Sequence, residues 1–300
     1  MQEGDVEQVD VCICTYNRAS LAETISSVAL QDLPADICLR LVVADNNVIP
    51  LQERDTRALC ERLGLAVTYV HAPARNIAIA RNACLANVVG SWLVFIDDDE
   101  VARPGWLRDL LSRRHDSDVI LGPVRAVYPG PATPRWMWRG DFHSTSILGN
   151  DPPDKGFTGN VLIRRTLVQS GSLRFSTALG QVGGEDTLFF RELYRRGARF
   201  AYVESASVLE EVAEARASLR WMLRRRYRMG QLHYALLDGR NRATSAAAAA
   251  KLFYCLLGAG LRILSPTAAI ASLLRATFHA GVVAGALGAR QVREYDSPPG

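Results

Sequence analysis

The chain has 300 residues, of which 48% are hydrophobic and 22% are charged, an ordinary balance for a folded globular protein. Its six cysteines form no C-x-x-C pair and no zinc-like spacing, which argues against a zinc module and favours reduced thiols in a reducing compartment. The formal net charge is only +4, but basic residues concentrate after residue 215 and the acidic clusters lie before it. The acidic amino-terminal segment lacks an apolar stretch, so we expect no secretory signal there. This length allows one large domain, or one domain with an appendage.

Strands and helices are predicted to alternate through the first hundred residues. The predicted strands are residues 9–14, 39–44, 67–70 and 92–96, and the predicted helices are 20–31, 52–63 and 76–89. Ser20 and Glu23 have the spacing of a capping box, and Gly64 and Gly90 follow the second and third helices as stop signals. Four alternations with short connections predict an α/β fold with a doubly wound parallel sheet.

Polar residues follow the predicted strands, and we expect them to share one crevice. Strand one ends at Thr15 and Tyr16, strand two at Asp45, and strand four at the acidic cluster 97–100. In open parallel sheets, ligands bind beyond the carboxyl ends of the strands. Clustered carboxylates are costly without a cation, and oxygen ligands suit Mg²⁺ or Mn²⁺, which usually hold substrate phosphates. The sequence therefore predicts a nucleotide pocket in which Tyr16 stacks on a base and Asp45 accepts a base N–H.

Other readings of these residues stay open at this point. The cluster 97–100 is equally compatible with a solvated acidic turn ahead of Pro104. Arg75 and Arg81 flank the helix after strand three, where each is either a phosphate contact or a surface arginine. No G-x-G-x-x-G follows strand one and no G-x-x-x-x-G-K-[ST] occurs, which argues against a dinucleotide-binding Rossmann enzyme and a P-loop NTPase.

A second group of functional candidates lies in residues 180–190. Gly184 permits a tight turn or a close approach to a ligand, and Glu185 and Asp186 then open a predicted helix, 185–195. Acids are favoured in the first turn of any helix, so a purely structural role is one interpretation. The other is catalytic: a sugar hydroxyl needs a carboxylate to take its proton, and we assign that role to Asp186, with Glu185 positioning the acceptor.

Two further segments lie between these groups. Trp136 and Trp138 occur in a stretch rich in proline and glycine. Exposed tryptophans in loops often stack on sugar rings, and the alternative is that both are core anchors. Thr158 and Gly159 precede a short β-prone run, and the glycine indicates either a close approach to a ligand or a plain turn.

The last third of the chain is basic and then apolar. Six arginines in residues 216–228, interleaved with Trp221, predict an amphipathic helix for an anionic membrane surface; a solvated helix face is the alternative, and no motif supports nucleic-acid binding. Residues 243–289 are rich in alanine, leucine and glycine, but basic residues and Pro266 interrupt them. We predict two helices in or on a bilayer, with a soluble helical hairpin as the alternative. The tail 297–300 is predicted to be disordered.

Six short stretches together resemble glycosyltransferase family 2, whose members have the GT-A fold. They occur in the same order as in that family and lie within residues 9–230. Within the family, the chain is most similar to bacterial exopolysaccharide glucosyltransferases of the succinoglycan pathway, which share the stretch 75–83. The six stretches are residues 11–18, 42–46, 75–83, 95–100, 158–160 and 183–187.

The resemblance implies a role for most of the candidate residues. The donor pocket would contain Thr15, Tyr16, Asp45, Arg75, Asn76, Arg81, Asp97 and Asp98. The D-x-D pair, Asp97 and Asp99, would hold the metal, with Glu210 as a candidate further ligand in place of a histidine found in many relatives. Asp186 would be the catalytic base, with Glu185 beside it. The candidate acceptor site, inferred from residue type and not from the resemblance, contains Trp136, Trp138, Thr158, Gly159 and Gly184.

The resemblance also implies the reaction and its setting. The fold would be a mostly parallel, Rossmann-like GT-A sheet with flanking helices and a C-terminal helical membrane-associating extension. Residues 1–212 would form the catalytic domain, with a donor half, 9–127, and an acceptor half, 128–212, and residues 213–300 would associate with the membrane. The enzyme would invert the anomeric centre, use Mn²⁺ or Mg²⁺, and move a sugar, glucose for preference, from a UDP-sugar to a lipid-linked oligosaccharide.

We expect it at the cytoplasmic face of the bacterial inner membrane, as a peripheral or monotopic protein among other polysaccharide-assembly proteins. Two other functions are considered. A nucleotidyltransferase acting on a sugar phosphate would use a similar sheet and paired acids, but this function does not explain the segment around Glu185. An inactive membrane-associated scaffold is disfavoured because Asp99 and Asp186 are both present.

Overall fold

The structure, a computed structural model, describes residues 6–130, 133–149, 151–236 and 242–292. The predicted disordered tail, 297–300, lies outside these residues. The chain divides into two compact units, and the predicted boundary after residue 212 stays a prediction. The first unit comprises Met1–Arg125, Ser144–Gln181 and Glu185–Glu210, and the second comprises Ala126–His143, Val182–Gly184 and Glu211–Gly300.

The secondary structure alternates as predicted in the first hundred residues. In chain order it is β1 (Glu7–Thr15), α1 (Leu21–Ala29), β2 (Ile37–Asp45), α2 (Glu53–Arg62), β3 (Ala66–His71), α3 (Ile77–Asn87) and β4 (Trp92–Ile96). The chain continues through β5 (Glu100–Ala102), α4 (Trp106–Leu111), β6 (Val119–Leu121), β7 (Val124–Val127), α5 (Arg135–Gly140), β8 (Asn160–Arg164), α6 (Glu185–Arg195), β9 (Phe200–Tyr202) and β10 (Val208–Glu211). Three helices follow: α7 (Leu219–Leu236), α8 (Arg242–Leu261) and α9 (Pro266–Ala286).

A seven-stranded sheet in the order β3-β2-β1-β4-β8-β6-β9 forms the centre of the first unit. Strands β1 to β4 pair in parallel, as do β6 and β9, whereas β8 is antiparallel to both of its neighbours. The predicted mostly parallel, Rossmann-like sheet is therefore confirmed. A second, three-stranded sheet has the order β5-β10-β7.

Helices cover both faces of the large sheet. Alternate residues of each strand point to opposite sides, so each strand contributes side chains to the core on both faces. On β1, Val11 and Ile13 join a buried cluster that includes Trp106. The intervening Cys12 joins the cluster on the other face, which includes Phe189 of α6. Burial on both faces explains why these strands are continuous apolar runs in the sequence.

Two local predictions were wrong. Ser20 precedes α1 with helical backbone angles, and its side chain makes no cap hydrogen bond within the described residues, because an Ncap side chain needs an extended backbone to reach the following amides. Gly90 does not end α3, which finishes at Asn87 with an extended residue after it. A side chain at Gly90 would instead collide with the carbonyl of Gln8, so this glycine allows close packing against β1.

Three long helices dominate the second unit. Residues Gly230 of α7 and Gly281 of α9 lie where the two backbones meet, since an added Cβ on either glycine would collide with a carbonyl oxygen of the other helix. Helix α9 also packs against α5, and Met137, Met222 and Leu274 are buried together there. Among the described helices, α9 alone has the length and apolar composition that could cross a membrane.

Candidate active site

The carboxyl ends of β1, β2 and β4 bring the predicted crevice residues to one edge of the large sheet. Thr15 at the end of β1 is paired in register with Asp45 at the end of β2. Strand β4, on the other side of β1, ends at Ile96 and leads directly into the acidic cluster 97–100. The topology thus gives this edge the position at which ligands bind in α/β sheets.

Glu100 makes two hydrogen bonds to Asp97 across the acidic turn, one through its backbone and one through its side chain. Its backbone N–H donates to the Asp97 carbonyl at 3.2 Å, and its Oε2 accepts the Asp97 backbone N–H at 2.8 Å. Glu100 is buried, which raises the pKa of its carboxyl well above the ordinary value. Gly159 leaves room for it, because an added Cβ there would lie 2.6 Å from Glu100 Oε1. Sequence reasoning gave Glu100 no separate role, yet this side chain fixes the turn that carries Asp97 and Asp99.

Removing the Glu100 carboxyl should destabilise the protein. We expect Glu100→Ala to lower the free energy of unfolding by about 1–3 kcal/mol, because it leaves the partly buried Asp97 N–H without its acceptor. Glu100→Gln keeps an acceptor oxygen of the same shape and should stay closer to the wild-type protein. Urea unfolding of both variants measures the difference, and equal stability of the two would contradict the assigned hydrogen bond.

Asp98 is turned back toward β1. Its Oδ2 accepts from the Thr15 hydroxyl at 2.7 Å and from the Tyr16 backbone N–H at 3.4 Å. Burial raises the pKa of Asp98 to about 7 against the opposing effect of the Thr15 hydrogen bond. Arg18 lies 4.0 Å from Asp98 and 3.6 Å from Asp99, so it balances the charge of both. Sequence reasoning missed Arg18, although it ends the same stretch, 11–18, that supplies Thr15 and Tyr16.

Arg81 joins the two acidic segments of the sequence. Its guanidinium is almost completely buried, donates to Glu185 Oε1 and lies 3.9 Å from Asp97 Oδ1. It also lies over the Phe175 ring, 5.7 Å from the centroid. Burial disfavours the cation, but Asp97 and Glu185 outweigh burial and raise the pKa of Arg81. One buried cation therefore holds the turn after β4 next to the start of α6.

Charged residues of both acidic segments, the turn after β4 and the start of α6, affect the pKa of Asp97. Although 44% of its side chain is exposed, neighbouring protein groups desolvate the carboxyl and raise its pKa. Arg81 opposes this shift, whereas Asp99 and Asp186 both add to it. Because Arg81 contacts both Asp97 and Glu185, and Asp186 follows Glu185 in the chain, the predicted base and the predicted metal ligands lie in the same part of the first unit.

The two acids at the start of α6 differ in environment. Glu185 is buried, and its Oε2 has no hydrogen-bond partner among the described residues. Burial raises the pKa of Glu185, and Arg81 opposes that effect. Asp186 is partly exposed, and its Oδ1 accepts the Thr187 backbone N–H at 2.6 Å. Of the two, Asp186 has the carboxylate that a substrate can reach from solvent.

The predicted base-binding residues have different surroundings. Asp45 is fully buried, and its carboxylate accepts from Asn47 at 2.9 Å and from the Tyr69 hydroxyl at 2.6 Å. Tyr16 is exposed, and the Arg75 guanidinium lies 5.4 Å from the centre of its ring. The exposed Tyr16–Arg75 pair offers a flat cationic and aromatic surface, whereas a base N–H would compete with Tyr69 for Asp45.

Asn76 has a clear structural role. It is the N-cap of α3, and its side chain accepts from the Ala78 N–H at 3.1 Å and the Ile79 N–H at 3.3 Å. Its amide group also donates to the Thr177 carbonyl at 2.9 Å. Asn76 thereby sets the start of the helix that carries Arg81, and a donor contact of its own stays a prediction.

The predicted acceptor residues are divided between the units. Thr158 and Gly159 lie in the first unit, where Thr158 is buried. The adjacent Asn160 cross-links the fold, since its amide donates to the Ala206 carbonyl at 2.7 Å and its oxygen accepts from the Trp106 ring at 2.8 Å. This stretch is therefore at least partly structural.

The remaining predicted acceptor residues belong to the second unit. Trp138 is half exposed and lies 5.2 Å from the Tyr128 ring, whereas Trp136 is partly buried and contacts Phe142. Gly184 has a φ of +89°, which favours glycine, and a side chain there would press on α7. These positions suit an exposed stacking surface at Trp138 and a tight turn at Gly184.

The carboxylates after β4 fit a divalent cation by their chemistry. Asp97 and Asp99 are 44% and 23% exposed, so oxygen donors remain open to solvent on both. No group of three or more metal-binding side chains occurs in the described ranges. Mg²⁺-type ions commonly use one or two carboxylates and complete their coordination with phosphate and water. Glu210 lies opposite Glu100 in the β5–β10 pair.

The chain shows clear similarity to known proteins. Residues 10–170 match the family described as glycosyl transferase family 2. Over 295 residues, the chain is 41% identical to the succinoglycan biosynthesis protein ExoM of Rhizobium meliloti (strain 1021), a match that covers 96% of this chain and 95% of that protein.

Solved structures show the same fold. The mannosyltransferase PcManGT from Pyrobaculum calidifontis, in complex with GDP-Man and Mn²⁺, aligns with a TM-score of 0.63 at 22% identity and covers 93% of this chain and 87% of that one. S. aureus TarS 1-349 in complex with UDP aligns with a TM-score of 0.54 at 18% identity, covering 94% and 90%. The chain therefore belongs to glycosyl transferase family 2 and has the GT-A fold.

Proposed function

We propose that this glycosyltransferase is a metal-dependent, inverting enzyme of exopolysaccharide or cell-surface polysaccharide synthesis. It moves a sugar from a UDP-sugar, with UDP-glucose as our candidate donor, to a hydroxyl of a lipid-linked oligosaccharide. The similarity to a succinoglycan biosynthesis protein supports the pathway. The observation that carries the proposal is the link from Arg81 to both Glu185 and Asp97, because it brings the predicted base segment and the predicted metal segment together.

In this proposal, Asp186 accepts the proton of the acceptor hydroxyl as that oxygen attacks the anomeric carbon of the donor. The bond between the anomeric carbon and the diphosphate oxygen breaks in the same displacement, so the configuration inverts. Glu185, a buried neighbour of Asp186 that is paired with Arg81, helps to position the acceptor sugar in our proposal. A base of this kind typically contributes about 10²–10⁴-fold to the rate.

The donor is held by residues around the ends of β1 and β4. Tyr16 and Arg75 contact the base, with Asp45 as its buried polar partner, and Asp98 and Asn76 lie in the same pocket. Asp97 and Asp99 would hold Mn²⁺ or Mg²⁺, with Glu210 as a further candidate ligand. When bound, such an ion neutralises the negative charge of the departing diphosphate. Arg18 and Arg81 supply fixed positive charge beside these carboxylates.

The acceptor binds through Trp136, Trp138, Thr158, Gly159 and Gly184 in our proposal. Residues 1–212 are the catalytic domain and 213–300 a membrane-associated region at the cytoplasmic face of the bacterial inner membrane. The apolar composition of α9 and the arginines of α7 support that location. A lipid-linked acceptor is confined to such a surface.

Release of UDP from labelled UDP-sugars tests the proposal. The purified chain is incubated with UDP-glucose and Mn²⁺, with and without a bacterial lipid extract, and UDP and lipid-bound label are both counted. We expect lipid-dependent release of UDP and transfer of label to the lipid fraction. Transfer of a nucleotide instead of a sugar would indicate the nucleotidyltransferase alternative, and no release with any nucleotide sugar would support the inactive scaffold.

Asp99→Asn should weaken metal-dependent donor binding. Losing a residue that merely supports a metal ligand already costs about 10–100-fold in affinity, so we expect at least that from losing a direct ligand. Titration of Mn²⁺ in the presence of UDP measures the change. Asp116→Asn, the same substitution at an exposed residue, is the control and should bind as the wild-type chain does. Unchanged Mn²⁺ affinity in Asp99→Asn would reject this residue as a ligand.

A further inference from the structure

The exposed side of α8 is a continuous apolar surface. Seven large apolar side chains on α8 and on the following turn are exposed; six of them define this surface, and the seventh is Ile263. Leu261 and Leu264 are exposed by 88% and 97%. The one charged residue within 245–261 is Lys251, which helical geometry places about 120° around the helix from Leu257, at the border of this surface. We call the surface the α8 face, and it consists of Phe253, Tyr254, Leu256, Leu257, Leu261 and Leu264.

The opposite side of α8 packs on α9, and it also provides hydrogen-bond partners for Arg262 at the end of the hairpin. Gly258 and Ser272 are buried between the two helices. Arg262 Nη1 donates to the Gly258 carbonyl at 3.4 Å and to the Ser272 hydroxyl at 3.3 Å. The Arg262 guanidinium, although next to exposed leucines, is therefore hydrogen-bonded within the hairpin. A charged group near an apolar phase is costly unless it has such partners.

The charges around the α8 face have one sign. Residues 242–292 contain no aspartate or glutamate, whereas Lys251, Arg262 and Arg275 lie among them. In a two-fold symmetric dimer formed through this face, both partners would bring the same uncompensated cations to the contact. A bilayer instead offers hydrocarbon to the leucines and phosphate groups to the bordering cations. Charge complementarity therefore favours a lipid surface over a second copy.

We propose that the α8 face is a membrane-docking surface that lies in one leaflet, with the axis of α8 along the plane of the membrane. An apolar side that runs from Phe253 to Leu264, with the other side packed on protein, is typical of an in-plane helix. Helix α9, in backbone contact with the arginine-rich α7 at Gly281, then supports α8 and does not cross the bilayer. This inference deepens the membrane location in the proposed function.

Vesicle flotation of the full chain tests the docking surface. Leu261→Glu places a charge on the α8 face, and we expect binding to vesicles of phosphatidylcholine and phosphatidylglycerol to fall by about tenfold or more. Leu287→Glu is the matched control, since Leu287 is 81% exposed beyond the far end of α9 and should bind as the wild-type chain does. Lys251→Gln should weaken binding to these anionic vesicles and leave binding to pure phosphatidylcholine unchanged.

The same variants separate the outcomes. If Leu261→Glu floats as well as Leu287→Glu, the docking surface is wrong. If the wild-type chain is a dimer and Leu261→Glu is a monomer with unchanged vesicle binding, the face joins two copies and the proposal fails. Thermal shift with UDP tests the donor site independently, so a variant that loses flotation but keeps the UDP shift isolates the membrane contact from the catalytic proposal.

Depth measurements test the orientation. Phe253→Trp and Leu261→Trp add a fluorophore near the middle and at the end of α8, and lipids brominated at shallow or deep positions quench it according to depth. An in-plane helix predicts the same quenching profile for both variants. Deeper quenching at residue 261 alone would show insertion by the end of the hairpin and would overturn the in-plane arrangement.

Discussion

Asp186→Asn is expected to lower kcat for sugar transfer by about 10²–10⁴-fold while donor binding is retained. The asparagine oxygen can still accept the Thr187 N–H that the Asp186 carboxylate accepts, so the start of α6 should keep its conformation. The amide has no basic oxygen that could take a proton from a sugar hydroxyl. The loss should therefore appear in the chemical step and leave the UDP affinity close to that of the wild-type chain.

Single-turnover assays with saturating donor and acceptor measure this loss directly. Asp116→Asn is the control, because it makes the same change at an exposed residue whose ion pair with Arg113 contributes little. Turnover of Asp186→Asn within a fewfold of the control would exclude Asp186 as the base. A catalytic base at Glu185 would then be the next hypothesis to test with Glu185→Gln.

The sequence was sufficient to predict the sheet edge because that edge depends on local patterns. Apolar runs separated by helical segments define β1 to β4, and parallel strands necessarily present their ends on one side. The register of Thr15 opposite Asp45 and the turn after Ile96 follow from that topology. The antiparallel β8 was beyond such reasoning, because strand direction depends on pairing with β4 and β6 and not on the pattern of five residues.

The side-chain network of the site could not be predicted in the same way. Arg81 and Glu185 are 104 residues apart in sequence, and no periodicity relates them. A sequence pattern could mark Arg81 as a phosphate contact but could not show that carboxylates already surround its guanidinium. Likewise, the fourth acid of the cluster 97–100 reads as one more charge, whereas the structure buries Glu100 beneath the turn as a hydrogen-bond acceptor for Asp97.

The wrong predictions have the same physical origin. Ser20 has the right spacing to Glu23 for a capping box, but its backbone angles decide whether the side chain can reach an amide. Gly90 has the right position to end α3, but its lack of a side chain serves the close approach of Gln8. Residue type restricts what a position can do, and tertiary contacts select among the possibilities.

Arg81→Gln should cost more stability than any other single change considered for this site. The substitution leaves the buried Glu185 carboxylate without its cation, and breaking one side of a buried pair typically costs about 3–5 kcal/mol. Protonation of Glu185 would relieve part of this cost, since burial already raises its pKa. We expect urea unfolding at neutral pH to show a loss toward the lower end of that range.

The double variant decides whether charge burial is the cause. Arg81→Gln with Glu185→Gln removes both charges and leaves two amides that can hydrogen-bond to each other, so stability should recover much of the loss seen in Arg81→Gln. A double variant as unstable as the sum of the two single variants would show that Arg81 acts through packing on Phe175 instead. Recovery of stability without recovery of sugar transfer would show that the two charges serve catalysis. The folded double variant would then differ from the wild-type site only in lacking the charges of Arg81 and Glu185.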